Sequence, residues 1–220
     1  MNAPRRRTLS RERVVSAALR LVDREGIDAL SMRRLGRELG VEGMAMYTHV
    51  RNKSDLLDAV AERILEELES EFDRKAPWQE RVRRGALAWA DLHERHPRSF
   101  PLVYRPGHGS PAVRQLTEEL MDAFRSGGFD ERGAALAYQT IVLLIDGALL
   151  GRGPSTDRDL QRAWGRLARA SDPERYPRFA EVAPQAATLT WREIIETGLD
   201  LLLAGLEARA ATTRRRGSRR

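Results

Sequence analysis

The N-terminal quarter of the chain carries apolar residues at helical spacing. They recur every three or four residues, as in the buried stripe of an amphipathic helix, and are Val14, Ala17, Ala18, Leu21 and Val22. Ser10 can cap the start of this helix, and Gly26 can end it. The pattern therefore predicts a first helix from Ser10 to about Glu25.

Residues 31–53 have the pattern of two short helices joined by a tight turn. Ser31 can cap the first of them. Gly40 supplies the left-handed residue that ends a helix, and a second short helix is predicted from about Gly43 to His49. This is the helix-turn-helix arrangement, whose second helix enters the DNA major groove. Any small helical hairpin shows the same pattern, so the neighbouring segments decide its meaning.

A further helix follows the hairpin. Asn52 and Asp55 stand three residues apart, as in a capping box, and an apolar stripe behind them carries the helix to about Asp73. The first three helices are predicted to share a small core of Leu21, Ile27, Leu35, Leu39, Val41 and Met46.

The second half is predicted to be helical throughout. Residues 130–151 are apolar almost all round, so this helix needs cover on several sides, which predicts a partner subunit. Residues 152–188 are predicted as a long connection with one helix near 160–168 and a mobile section after it. The remaining predicted helices span residues 78–96, 111–125 and 190–209, with a short piece at 99–104.

Charge is distributed unevenly along the chain. Residues 1–53 carry 12 Arg or Lys and 6 Asp or Glu, whereas residues 54–80 carry 3 and 9. Residues 209–220 hold six arginines and no acid, which equals the net charge of +6 for the whole chain. A basic N-terminus beside an acidic segment indicates a polyanion-binding face, although solvated surface charge produces the same pattern.

Composition and motifs argue against several classes of protein. The chain has no cysteine, which excludes a disulfide framework and a thiolate metal site. It has no phosphate loop, dinucleotide fingerprint, nucleophile elbow or zinc-protease motif, so we expect no enzyme, no cofactor and no metal. His93 and His96 are three residues apart and could share a metal, but such a pair is more often incidental.

The sequence predicts a cytoplasmic protein. The longest uninterrupted apolar run, residues 141–145, is too short to span a membrane. The N-terminus has no apolar stretch of the kind found in a signal peptide.

Several sequence marks follow one another within residues 9–65. They are A-x-x-L in the first helix, E-G-I-D-A-L, L-G-x-x-L-G-V, M-Y-x-H-V-x-N-K and L-L-D-A. In these marks the chain resembles the DNA-binding domain of the TetR family of bacterial transcriptional regulators, above all the branch that includes the tetracycline repressor. The second half is similar, more loosely, to the C-terminal domain of that branch in G-F-D and G-L-D-L-L-L-A-G-L-E.

The resemblance assigns DNA contacts to particular positions. The second motif helix would lie in the major groove, and Lys53 would contact a phosphate, while Arg33 can reach a guanine edge. Gly43 and Met44 replace the polar and proline residues that read bases in the tetracycline repressor, so the operator sequence is expected to differ. The predicted DNA-binding residues are Arg33, Gly43, Met44, Tyr47, His49 and Lys53.

The resemblance also implies a homodimer and a small-molecule effector. In that branch the apolar helix and the last helix pair with their two-fold mates, so a dimer on a palindromic double-stranded DNA operator is expected. The histidine that helps bind magnesium–tetracycline in that branch has no counterpart in residues 64–74. We therefore expect that the chain binds neither tetracycline nor its magnesium ion. An apolar or aromatic effector would meet bulky or amphipathic residues, for which the candidates are Trp89, His93, Phe100, Tyr104, Met121, Phe124, Tyr138 and Gln139.

The sequence as a whole predicts an all-α protein. It would have a basic arm (residues 1–9), a three-helix helix-turn-helix domain with its linking helix (10–73), a larger helical ligand-binding and dimerisation domain (74–208) and a disordered basic tail (209–220). The predicted function is that of a ligand-responsive repressor without membrane association. The alternatives are an activator or architectural DNA-binding factor without an effector, and an enzyme on a helical scaffold.

Overall fold

The structure is a computed structural model of the 220-residue chain, and it describes residues 9–68, 73–105 and 110–217, with side chains up to Ala210. These residues form helices and no strand, which confirms the predicted all-α fold. Residues 1–8 of the predicted arm and residues 218–220 of the predicted tail lie outside the described residues.

The N-terminal helices begin at the predicted caps. The Ser10 hydroxyl accepts a hydrogen bond from the backbone N–H of Arg13, and Ser31 accepts one from Arg34. Gly40 has a φ of 70° and ends the second helix in the left-handed conformation. The bounds are α1 Arg11–Glu25, a 3-10 turn Ile27–Ala29, α2 Met32–Leu39, a 3-10 helix Gly43–Thr48 and α3 Lys53–Leu65.

The helix Gly43–Thr48, called the reading helix below, forms at the predicted position and is a 3-10 helix. One of these elements differs from the prediction. α3 ends at Leu65 and not at Asp73. The residues after Leu65 include Glu66 and Glu67, and acidic side chains are unfavourable at the negative C-terminal end of a helix dipole.

The second half contains α4 Trp78–Arg95, a 3-10 turn Phe100–Tyr104, α5 Pro111–Ser126, α6 Glu131–Arg152, α7 Asp157–Ala170, α8 Pro177–Ala186 and α9 Trp191–Gly217. α8 occupies the section predicted to be mobile: Pro177 opens it at a position that tolerates proline, and the Phe179 ring stacks on Trp164 at 6.0 Å. α9 continues eight residues beyond the predicted end at Arg209.

The chain packs into two compact units. Unit 1 comprises residues 1–71 and 87–117, and unit 2 comprises residues 72–86 and 118–220. Packing therefore groups residues 87–117 with the N-terminal helices, because the 3-10 turn Phe100–Tyr104 packs against α3. The sequence pattern had grouped them with the C-terminal helices.

The core of unit 1 is partly the predicted one. Leu21, Leu35 and Met46 are fully buried, whereas Ile27, Leu39 and Val41 keep part of their surface exposed. The core of α3 adds a further set of buried side chains: Leu56, Leu57, Val60, Ile64 and Leu65.

Within the described part of this chain, the buried residues of α6 form one stripe, and the cover that a partner subunit is expected to add remains a prediction. In unit 2 α6 packs against α9 and buries Ala134, Ala137, Ile141, Ile145 and Leu149. By length and composition it is the one helix among the described residues that could cross a membrane, with a mean hydropathy of 1.6. The short uninterrupted run had not revealed this, because the mean tolerates scattered polar residues. Core helices of soluble proteins meet the same criterion.

Candidate nucleic-acid interface

Two glycines allow the reading helix to lie directly on α2. A Cβ added at Gly36 would stand 2.8 Å from the carbonyl oxygen of Val41 and 2.9 Å from the backbone nitrogen of Gly43. A Cβ at Gly43 would stand 3.2 Å from the Cα of Arg33. A side chain at position 43 would therefore point towards α2. The role of Gly43 in this fold is to permit the close approach of two backbones.

The opposite side of the reading helix presents large apolar side chains to solvent. Met46 is fully buried, whereas Met44 is 73% exposed and Tyr47 is 47% exposed. Thr48 donates its hydroxyl hydrogen to the carbonyl of Ala45, so this side chain is engaged within the helix. Met44 and Tyr47 are consequently the large apolar side chains that the reading helix exposes to solvent.

Arginines at the surface of α2 fall into two groups. Arg34 lies 2.8 Å from Glu25 and 3.1 Å from Glu38, and Arg24 also bonds Glu38 at 2.8 Å. These contacts fasten α2 to the end of α1 and hold the pKa of Glu38 below its usual value, chiefly through the hydrogen bond from Arg24. The guanidinium of Arg34 is therefore engaged in ion pairs within the chain.

Arg33, Arg37 and Lys53 are exposed and form no ion pair with another residue in the described part of the chain. Arg33 lies next to the start of the reading helix, since its Cα borders Gly43. Lys53 is the first residue of α3. Cations without internal partners can contact phosphates or base edges.

The C-terminal end of the reading helix is held by a hydrogen-bonded cluster. Arg11 donates from Nη1 to the carbonyl oxygen of His49 at 2.8 Å, and its guanidinium lies 3.2 Å and 3.3 Å from the two carboxylate oxygens of Asp55. The Arg11 hydrogen bond, with one from the backbone N–H of Arg51, holds the pKa of Asp55 well below its usual range. The imidazole of His49 is half-buried.

The six predicted DNA-binding residues are thus found on adjacent elements of unit 1. Gly43, Met44 and Tyr47 belong to the reading helix, His49 follows it directly, and Lys53 starts the next helix. The sequence did not indicate that Arg11 belongs to this site, nor that Asp55 binds Arg11 in addition to lying in the first turn of α3. Their signal was weak, because an acid in the first turn of a helix, such as Asp55, is ordinary, and Arg11 lies 44 residues away from it in the chain.

Four of the eight predicted effector residues come together in unit 1. Phe100 is fully buried, and its ring packs edge-on at 5.3 Å from Trp89, 5.0 Å from His93 and 5.7 Å from Tyr104. Trp89 and Tyr104 are half-buried. This aromatic cluster, Trp89–His93–Phe100–Tyr104, rests on α3 through the turn Phe100–Tyr104.

The other four belong to unit 2, so the predicted set is divided. Phe124 is fully buried in a ring cluster with Trp78 and Phe129. Met121 and Tyr138 are half-buried, and Gln139 is exposed.

Unit 2 also has an open groove of about 570 Å³ between the start of α6 and α9. None of the eight predicted effector residues lines it; its lining includes Phe129, Leu136, Leu201, Leu202, Gly205 and Leu206.

His96, half of the predicted histidine pair, has carboxylates on both ring nitrogens. Its Nδ1 lies 2.9 Å from Asp23 and its Nε2 lies 3.1 Å from Glu67. The hydrogen bond with Asp23 has the largest effect on the pKa of His96. Together with the hydrogen bond to Glu67, it raises this pKa above its usual value. Among the described residues, no group of three His, Cys, Asp or Glu side chains is arranged to hold a metal.

The fold and this surface define a class of protein. A small helical unit presents a helix-turn-helix whose second helix is exposed, with exposed cations at both of its ends, and a helical unit follows. This is the organisation of helix-turn-helix regulators.

Comparison with known proteins specifies the family. Residues 14–60 match the bacterial regulatory proteins of the tetR family, and residues 73–210 match the tetracyclin repressor-like C-terminal domain. The chain therefore belongs to the TetR family of bacterial regulatory proteins.

Individual relatives that the chain resembles are repressors. The HTH-type transcriptional repressor DrrR1 of Streptomyces coeruleorubidus is 30% identical over 67% of this chain and 54% of its own length. The class A tetracycline repressor from transposon 1721 of Escherichia coli is 31% identical over 91% of this chain and 92% of its own. The chain spans 54% to 66% of the length of the first three curated relatives.

The similarity extends to three-dimensional structure. The TetR family protein ActR of Streptomyces coelicolor, solved in complex with (S)-DNPA, has 28% sequence identity and a TM-score of 0.73 over 91% of this chain and 98% of its own.

Proposed function

We propose that the protein is a DNA-binding transcriptional repressor of the bacterial cytoplasm, which binds a palindromic operator as a homodimer and is released by a small molecule. The observation that carries the proposal is the exposed face of the reading helix. Met44 and Tyr47 are exposed among the described residues, and large exposed apolar side chains mark binding surfaces. Arg33 and Lys53, which form no ion pair within the part of the chain that the structure describes, border this face.

The reading helix would enter the major groove with Tyr47 and His49 against the DNA and Lys53 on a phosphate. Met44 offers only apolar contact, such as with a thymine methyl group. Direct base readout therefore rests on Arg33, whose fork can bind a guanine edge, and the shape of the DNA contributes the remaining specificity.

The homodimer is supported by exposed leucines at a spacing of seven. Leu136, Leu143 and Leu150 lie seven residues apart on α6, and Leu201 lies seven residues after Ile194 on α9. Leu143 is 74% exposed and Leu201 72% exposed. A seven-residue repeat keeps apolar side chains on one stripe, as in paired helices. A two-fold dimer would separate its reading helices by about one turn of DNA, ~34–36 Å.

The effector site is proposed at the aromatic cluster of unit 1. A cluster of rings favours a planar aromatic or apolar ligand; ActR, which has a similar fold, was solved with (S)-DNPA and with actinorhodin. Arg105 ends the turn that carries Phe100 and Tyr104, and its side chain bonds Asp58 at 3.1 Å and Ser54 at 2.9 Å in the first turns of α3. A ligand that displaces this turn would therefore act on the helix that follows the reading helix.

The DNA-binding proposal is tested by selection from random double-stranded DNA with the purified protein. The expected product is a palindromic site. Tyr47→Ala should abolish specific binding and leave the oligomer unchanged in light scattering. Lys53→Ala should weaken binding to all sequences and reduce the slope of log affinity against log salt by about one. Recovery of no palindrome, or normal binding by both variants, would contradict the proposal.

The effector is tested separately by mass spectrometry of small molecules that co-purify with the protein. An aromatic or apolar compound that releases the selected operator in wild type, but not in Trp89→Ala, is the expected result. If no candidate ligand changes operator binding, the protein acts without an effector at this cluster.

A further inference from the structure

We propose that Arg11 and Asp55 are positioning residues that fix the C-terminal end of the reading helix for operator recognition. The inference rests on the proposed DNA-binding function. Neither residue needs to contact DNA for this role. The pair acts through the backbone of His49, the first residue after the reading helix.

Arg11 joins three elements through one rigid group. From the first turn of α1 its Nη1 reaches the carbonyl oxygen of His49 at 2.8 Å, and Nη1 and Nη2 fork onto the carboxylate of Asp55 at 3.2 Å and 3.3 Å. The guanidinium is planar, so the bidentate contact with Asp55 fixes the direction in which Arg11 presents its bond to His49. The position of the His49 carbonyl is thereby tied to α1 and α3.

Asp55 is itself held in place. Its Oδ2 accepts a hydrogen bond from the backbone N–H of Arg51 at 2.9 Å, and its own N–H donates to Oδ1 of Asn52 at 2.9 Å. The Asp55 side chain is only 11% exposed, whereas that of Arg11 is half exposed. Asp55 is thus the fixed base, and Arg11 is the link from it to the reading helix.

Electrostatic interaction with DNA would not favour an acid at this position. Asp55 lies two residues after Lys53, the proposed phosphate contact, and a carboxylate near phosphates opposes DNA binding. The dipole of α3 favours an acid in this first turn, and the contact with Arg11 gives the same carboxylate a geometric role. The two ends of the reading helix are then held by different means, because its start is fixed by the close backbone contact at Gly36 and Gly43. A 3-10 helix has poorer internal hydrogen bonds than an α-helix, so external fixation of its far end matters more.

Asp55→Asn separates the geometric role from the electrostatic one. The substitution removes a negative charge beside the DNA, so electrostatics predicts tighter binding to every sequence. If the pair positions the reading helix, operator binding should instead weaken by about tenfold, the effect of a lost charge-assisted hydrogen bond, while nonspecific binding stays equal or tightens. The informative quantity is the ratio of operator to nonspecific affinity, measured by fluorescence anisotropy at fixed salt. A loss of folded protein lowers both affinities by the same factor and leaves this ratio unchanged.

Arg11→Lys is the second variant, because it keeps the positive charge but loses the fork. It should lower the ratio as Asp55→Asn does, and the double variant should be no worse than either single variant. Glu12→Gln is the matched control: it removes an acid from the next residue of α1, which contacts neither His49 nor Asp55 in the described residues, and should leave the ratio unchanged.

Hydrogen exchange gives an independent reading on the free protein. The amides of His49 and Val50 both donate to the carbonyl of Met46, at 2.9 Å and 3.0 Å, and should exchange faster in Asp55→Asn than in Glu12→Gln. An Asp55→Asn protein that keeps the wild-type ratio and the wild-type exchange at these amides would overturn the inference. Failure of wild type to select any operator would instead overturn the proposed function, so the two failures are distinguishable.

Discussion

Gly36→Ala probes the close contact on which the position of the reading helix depends. Alanine is normally the better helix residue, and in the interior of α2 it should stabilise by up to about 1 kcal/mol. In this structure, however, the added Cβ would stand 2.8 Å from the Val41 carbonyl oxygen and 2.9 Å from the Gly43 nitrogen. Both neighbours are backbone atoms, so neither can rotate away. The reading helix must instead move.

The magnitude follows from these distances. The backbone after α2 has to yield by about 0.6 Å for the Cβ to reach the 3.4 Å at which ordinary van der Waals contact begins. Overpacking of this kind costs roughly 1–3 kcal/mol. After the helix-propensity gain is subtracted, we expect a net loss of about 1 kcal/mol, which corresponds to a fall in melting temperature of roughly 2–4 °C. Operator affinity should fall further than stability, because the shift displaces Met44 and Tyr47 directly.

The assay pairs thermal unfolding with operator binding, and Gly165→Ala is the control. Gly165 lies inside α7, where an added Cβ would meet only the far end of the flexible Arg169 side chain at 3.4 Å. This control should gain stability by about 0.5–1 kcal/mol and bind DNA normally. The sign of the change therefore separates the two variants. The reasoning would be refuted by a Gly36→Ala protein that melts higher than wild type and keeps its operator affinity.

Three further predictions concern other contacts. Because Asp23 and Glu67 raise the pKa of His96 in the folded protein, the stability that they contribute is fully present below the unfolded pKa of about 6.5. It is lost as pH rises through the raised folded pKa, and His96→Gln should remove this pH dependence from thermal unfolding. Leu143→Asp, which puts a charge on the exposed leucine stripe of α6, should convert the proposed homodimer to monomers in light scattering. Arg105→Gln, which breaks the bond to α3, should leave operator affinity within about threefold of wild type but weaken release by the effector.

Each of these has a control and a contradicting result. For His96→Gln the control is His49→Gln, and an unchanged pH profile in His96→Gln would contradict the proposed carboxylate contacts. Leu167→Asp places the same charge on an exposed leucine of α7 and should leave the dimer intact, whereas a Leu143→Asp protein that stays dimeric would exclude this face. Arg105→Gln with normal effector release would show that the signal does not pass through Arg105.

Local sequence signals were sufficient to predict the helices and the hairpin. Ser10, Ser31 and Asn52 cap the helices that they were expected to cap, and Gly40 has the predicted left-handed backbone. These signals are reliable because each joins residues within about four positions in the chain. The motifs of the N-terminal segment were likewise sufficient for the resemblance to the family, which the match over residues 14–60 confirms.

The end of α3 and the formation of α8 were not predicted from the sequence. α3 stops at Leu65, eight residues before the predicted end, although its apolar stripe continues to the buried Leu68. α8 forms in the section predicted to be mobile, because Phe179 finds Trp164 on α7 to pack against. Hydrophobic spacing includes neither the acidic residues after Leu65 nor this packing partner, so it predicted both segments incorrectly.

The roles of individual side chains were decided by the tertiary structure. Arg33 and Arg34 are neighbours in the sequence, yet only Arg34 meets carboxylates, because Glu25 of α1 lies beside it. Gly43 had been assigned as a base-reading position without a side chain, and the fold turns it towards α2. The Arg11–Asp55 pair spans 44 residues, so no local pattern relates its members. The sequence alone determined the capped helices of the N-terminal segment and the family to which the chain belongs. Only the packing of those helices determined which cations remain available for DNA and what holds the reading helix in place, because these depend on contacts between residues far apart in the chain.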